Sequence, residues 1–142
     1  MTHVLIVEAR FYEDLADELV KGAMAALDVA GVTYDRIAVP GAFEIPAAIG
    51  LAAQGGRYAG YIALGCVIRG ETTHYDYVCG ESARGLQDLA IQRHLAIGYG
   101  ILTCETGEQA WVRASVAKKN KGKDAATACL AMIELKQRFG VS

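Results

Sequence analysis

Val4-Leu5-Ile6-Val7 decides the fold. The run is short, rich in β-branched residues and apolar at every position. A strand with one wet face would alternate, so this one is suited to the middle of a parallel sheet covered on both sides. Working outward, the residues after Phe11 change period. Leu15, Leu19, Ala23, Leu27 and Ala30 recur at helical spacing with acids and lysines between them, and Gly31 supplies a stop.

The alternation continues along the chain. Tyr34 to Val39 reads as a second strand, ended by the turn pair Pro40-Gly41. A helix is predicted to start near Pro46, where a first-turn proline costs little, and to run to Gly55-Gly56. Tyr61 to Cys66 is a third strand, followed by a polar loop over Arg69–Thr73 and a helix from about Asp76 to Arg93. Ile97 to Cys104 is a fourth strand, and helices over Glu108–Ala114 and Asp124–Phe139 close the chain. In the last helix Ala128, Met132, Leu135 and Phe139 share a stripe expected to lie in the core or in an interface. Repeated βα units imply right-handed crossovers with helices on both faces of the sheet. The expectation is an α/β flavodoxin-like three-layer sandwich with a four-stranded parallel sheet, formed as one domain over residues 1–142.

Composition narrows the function. A formal net charge of -2 argues against a nucleic-acid binder, which usually carries a basic excess. No apolar run approaches the ~18 residues that a membrane span requires. The amino terminus lacks a signal-peptide pattern, so a cytoplasmic location is expected. Cys66, Cys79, Cys104 and Cys129 form no C-x-x-C pair and no metal-ligand spacing with His3, His74 or His94, and they read as buried free thiols. A hydrophobic content of 53% against 21% charged suggests that subunits cover some of the surface.

In open parallel sheets ligands bind beyond the carboxyl ends of the strands. The loops after Val7, Val39, Cys66 and Cys104 therefore hold the candidates. Phe11 can either staple the first helix or present a flat apolar face to a ring. In Pro40 to Pro46, Gly41 and Ala42 allow close backbone approach. Phe43 follows, and Glu44 can accept hydrogen bonds from hydroxyls or simply suit a helix N-terminus. Gly70, Glu71, Thr72 and Thr73 stand before a helix as a plausible phosphate cradle, with His74 beside them to move protons near neutral pH. Arg113, together with one lysine from the run Lys118 to Lys123, can hold a phosphate dianion; such a run is more usually a solvated surface. No G-x-x-x-x-G-K-[ST] or G-x-G-x-x-G string exists, so neither a nucleoside triphosphate nor a dinucleotide is indicated.

The strings PGAFEIP, GCVIRGETTHYDYV and NKG, with Arg113 eight residues before Lys121, resemble the lumazine synthase family, and the likeness runs from Arg10-Phe11 into the last helix. The resemblance implies condensation of 5-amino-6-(D-ribitylamino)uracil with 3,4-dihydroxy-2-butanone 4-phosphate, without metal or organic cofactor. Phe11 would stack on the pyrimidine, with backbone contacts from Cys66, Val67 and Ile68. Ala42, Phe43 and Glu44 would line the ribityl chain and ring edge. Gly70, Glu71, Thr72 and Arg113 would hold the phosphate, His74 would transfer protons and Lys121 would add positive charge. Tyr99 stands where the family usually has phenylalanine, at a position that reaches a neighbour's pocket. The resemblance also implies sites between subunits of a homo-oligomeric ring of five. Val116 and Ala117 replace a stretch that often carries glycine, threonine and lysine, and a free pentamer is favoured over a sixty-subunit shell. The rival readings are a riboflavin synthase of related fold, which needs no phosphate pocket, and a non-catalytic flavin- or lumazine-binding paralogue.

Overall fold

The computed structural model describes residues 1–141. Strands β1 (His3–Ala9), β2 (Thr33–Val39), β3 (Gly60–Ile68) and β4 (Ile97–Cys104) form one parallel sheet in the order β2-β1-β3-β4. Helices α1 (Glu13–Ala30), α2 (Ile45–Gln54), α3 (His74–Gln92), α4 (Gly107–Ala114) and α5 (Lys121–Arg138) cover it. This is the expected three-layer α/β arrangement. No helix among the described residues is long and apolar enough to cross a membrane.

The continuous apolar run in β1 explains the layering. Val4 and Ile6 enter one core with Leu15, Leu19 and Leu27 of α1 and with Ala125, Ala126, Cys129 and Ile133 of α5. Leu5 and Val7 point into the opposite core with Ile45 and Ile49 of α2 and Val78 and Leu86 of α3. Each fully buried leucine or isoleucine contributes about 1.5–3 kcal/mol, so the two cores lock β1 from both sides. Close approach on the α5 side demands small residues. A Cβ on Gly98 of β4 would collide with the Ala125 carbonyl, and one on Gly122 of α5 would collide with the Leu19 carbonyl.

The structure corrects several expectations. Ala30 is exposed, because α1 ends there against Gly31, whose φ of 70° turns the chain off the core. Ala128, Met132, Leu135 and Phe139 face outward, so of the two expected places, core and interface, the core of this chain is excluded; Gly122, Ala125, Ala126, Cys129 and Ile133 make the buried stripe. Small residues won that face because α5 lies so close to β4. The four cysteines are free, but only Cys104 and Cys129 are buried, while Cys66 and Cys79 are half-buried. β3 runs two residues further than expected, to Ile68, because its pairing with β4 continues to Ile68 opposite Cys104. α3 starts at His74 and α5 at Lys121, each earlier than the periodicity suggested. A short 3-10 turn over Ala42–Glu44 precedes α2.

Candidate active site

One cleft of about 450 Å³ opens beyond the carboxyl ends of β1 and β3. Phe11 enters it from the turn between β1 and α1, Gly41 to Glu44 from the 3-10 turn, Cys66 to Ile68 from the end of β3, and His74 and Val78 from the start of α3. Its walls are mainly apolar. Phe11 is 67% exposed and Phe43 54% exposed, so two phenyl rings are held out of the core and turned to the cleft. The Phe11 ring lies 4.9 Å from that of Tyr12 in a tilted arrangement. Exposed aromatic rings lining a cleft suit a flat heterocycle.

The polar groups are few. Glu44 and His74 are both exposed at the cleft. The His74 backbone N–H donates to the Thr72 hydroxyl at 3.3 Å, which fixes the start of α3 and with it the imidazole at the rim. Burial pushes the Cys66 thiol up to about 12, with Cys104 nearby adding to the effect, so Cys66 offers the cleft a neutral thiol and not a nucleophile.

Eight of the residues singled out in the sequence therefore meet in one place: Phe11, Ala42, Phe43, Glu44, Cys66, Val67, Ile68 and His74. Tyr12, Gly41 and Val78 line the cleft as well. Val78 had a legible signal, since it stands four residues after His74 and so one helical turn along the same face. Gly70, Glu71 and Thr72 lie exposed on the loop that leads into His74, at the rim and not in the wall.

The remaining three sit elsewhere in the chain. Tyr99 lines a separate groove between β4 and α3, with Ala83, Leu86 and Ala90. Arg113 lies on α4, where its guanidinium donates to the Gln109 carbonyl at 3.0 Å. Lys121 opens α5 and pairs with Asp124 at 3.3 Å. The cation on the rim loop is already committed. Arg69 bonds Glu105 at 2.7 Å and Asp76 at 3.3 Å, and its guanidinium lies 4.3 Å from the centre of the Tyr75 ring. Within one chain the cleft thus has apolar walls, a carboxylate and an imidazole, but no free cation for a phosphate among the described residues that line it.

The family model described as 6,7-dimethyl-8-ribityllumazine synthase matches residues 1–137. The chain belongs to the 6,7-dimethyl-8-ribityllumazine synthase family. Relatives carrying that name agree over nearly full length. The 6,7-dimethyl-8-ribityllumazine synthase 1 of Rhizobium meliloti is 59% identical, covering 97% of this chain and 94% of its own. The enzyme of Bartonella tribocorum is 60% identical over 97% of this chain and 92% of its own. That of Agrobacterium fabrum is 57% identical over 97% of both.

Proposed function

We propose that this chain condenses 5-amino-6-(D-ribitylamino)uracil with 3,4-dihydroxy-2-butanone 4-phosphate to give 6,7-dimethyl-8-ribityllumazine, phosphate and water. The observation that carries the reading is the convergence of two exposed phenyl rings, Glu44 and His74 on one cleft. Phe11 stacks on the pyrimidine, while the backbone of Cys66, Val67 and Ile68 meets its edge. Ala42, Phe43 and Glu44 receive the ribityl chain, Glu44 as acceptor for its hydroxyls. Gly70, Glu71 and Thr72 meet the phosphate at the rim.

The missing cation comes from a neighbour. A second copy in a ring of five brings its Arg113, its Lys121 and the aromatic face of its Tyr99 to the cleft. Arg113 is well suited, because its fork engages only a backbone carbonyl and no carboxylate among the described residues. A head-to-tail interface whose rotation closes generates such a ring and repeats the same seam at every junction.

The substrates supply most of the reactivity. The amine attacks the ketone, a first water leaves as the imine forms, phosphate is eliminated, tautomerisation yields a new carbonyl, and the ribityl-bearing nitrogen closes the ring on it with loss of a second water. Holding both partners in a near-attack arrangement can supply ~7–11 kcal/mol of the barrier. His74 moves protons at the rim.

Mixing the protein with both substrates tests the reading. Lumazine fluorescence should rise together with one phosphate released per product. Riboflavin formed from added lumazine would point instead to a riboflavin synthase. Tight flavin binding without turnover would point to a non-catalytic paralogue. Sedimentation should give a particle of five 15.1 kDa chains; a megadalton particle would overturn the free ring in favour of a shell.

A further inference from the structure

Outside the cleft, one charged group is buried deeply enough to need a reason. Glu8 near the end of β1 is only 2% exposed. It accepts from Arg10 Nη1 at 2.6 Å, and from Arg36 Nε at 2.7 Å and Nη2 at 3.1 Å. The other side of the Arg10 guanidinium bonds Asp17 of α1 and lies 3.7 Å from Glu13. A single buried carboxylate thus ties together the end of β1, the neighbouring strand β2 and, through Arg10, the first two turns of α1.

Arg10 is also the residue before Phe11. Only Arg10, Phe11 and Tyr12 connect β1 to α1. Phe11 is two-thirds exposed and its ring lies 4.9 Å from that of Tyr12, the next residue of the same turn, so its place in the cleft depends on how this turn is held. Clamping Arg10 from both flanks removes most of the freedom that such a turn would otherwise have. Burying the Glu8 carboxylate beneath part-buried Arg10 and exposed Arg36 is a costly way to fill space, since an apolar side chain of similar volume is often at least as stabilising. Its use here fits a demand for geometry over stability.

We propose that Glu8 is a positioning residue: through Arg10 it holds the β1–α1 turn so that Phe11 is presented to the substrate's flat heterocycle. The proposal rests on the function inferred above for the choice of substrate, though not for the geometry of the turn. Glu8 touches no reacting atom. It acts through Arg10 and Phe11.

The test uses the full-length protein with Glu8→Gln and, because the lone amide can strain the fold, Glu8→Leu, which removes the buried charge altogether. Both variants should raise KM for the ribitylaminouracil about tenfold, the loss expected from one charge-assisted hydrogen bond, while KM for the keto-phosphate stays unchanged. In a Phe11→Ala background the same substitutions should add nothing further, because the two changes act on one contact. Backbone NMR of the ligand-free protein supplies a readout independent of turnover. Order parameters at Phe11 and Tyr12 should fall from about 0.85 towards 0.6, with those of Leu19 and Leu27 unaltered. Effects of Glu8 and Phe11 that multiply, or a turn that stays rigid in both variants, would overturn the proposal. A wild-type protein that makes no lumazine would defeat the functional reading alone, and the order parameters would still decide the role of Glu8.

Discussion

His74 lines the cleft while Arg113 lies on α4, and the proposed function gives them different tasks. His74→Ala should lower kcat by about 10²-fold, the lower end for proton transfer by one side chain, because positioning supplies most of the rate. Steady-state kinetics on a variant with native circular dichroism checks this; complete inactivity would mean that His74 does more than move protons. Arg113→Ala should raise KM for the keto-phosphate by roughly 10–100-fold and leave KM for the pyrimidine unchanged, as expected for loss of a charge-assisted contact. An unchanged keto-phosphate KM would remove Arg113 from the site. The residues on the strand ends, such as Phe11, Ala42 and Glu44, could be read in the sequence because each falls on a loop that the parallel topology sends to one edge. The location of Arg113 could not, since nothing in a string of residues shows that Arg69 spends its charge on Glu105 and Asp76. Nor does it show that the cleft consequently lacks a cation of its own.

Elements met at close range carry their own predictions. Gly98→Ala should destabilise by about 1–3 kcal/mol, a fall of roughly 3–12 °C in Tm, because the new methyl would displace α5 from β4. An unchanged Tm would mean that α5 is not seated as described. A side chain of α1 also ties down the segment after α4. The Glu18 carboxylate accepts from the Val116 N–H at 3.2 Å and lies 3.1 Å from Lys21. These contacts, the Val116 bond above all, hold its pKa below the ordinary 4.5. A depressed folded-state value means that the stabilisation is present above the unfolded value and is lost as pH falls through the folded one. The Tm advantage of wild type over Glu18→Gln should therefore be flat near neutrality and shrink below 4.5; an advantage that grew in acid would contradict the contact. Strand and helix identities were legible because their periods differ. The buried face of α5 was not. The stripe of Met132, Leu135 and Phe139, expected in the core or an interface, is exposed, while Ala125 and Cys129 meet the glycines of β4 and Ile133 packs over Gly60 of β3.

For the whole molecule, the parallel order β2-β1-β3-β4 places the candidate cleft beside the two central strands. The edge strand β4 and the helices leave Tyr99, Met132, Leu135 and Phe139 facing outward. Under the function proposed above, the cleft of one copy is completed by Arg113 of the next around a ring. Subunit complementation tests this most directly. One variant carries Phe11→Ala with His74→Ala and so has a defective cleft; the other carries Arg113→Ala and so has a defective donor face. In an evenly mixed, reassembled ring about a quarter of the seams would join an intact cleft to an intact Arg113. The predicted result is lumazine formation, at low keto-phosphate, well above that of either variant alone and near a quarter of the wild-type rate. Activity no greater than the average of the two separate variants would show that each chain works with its own Arg113 or with none, and would contradict the account.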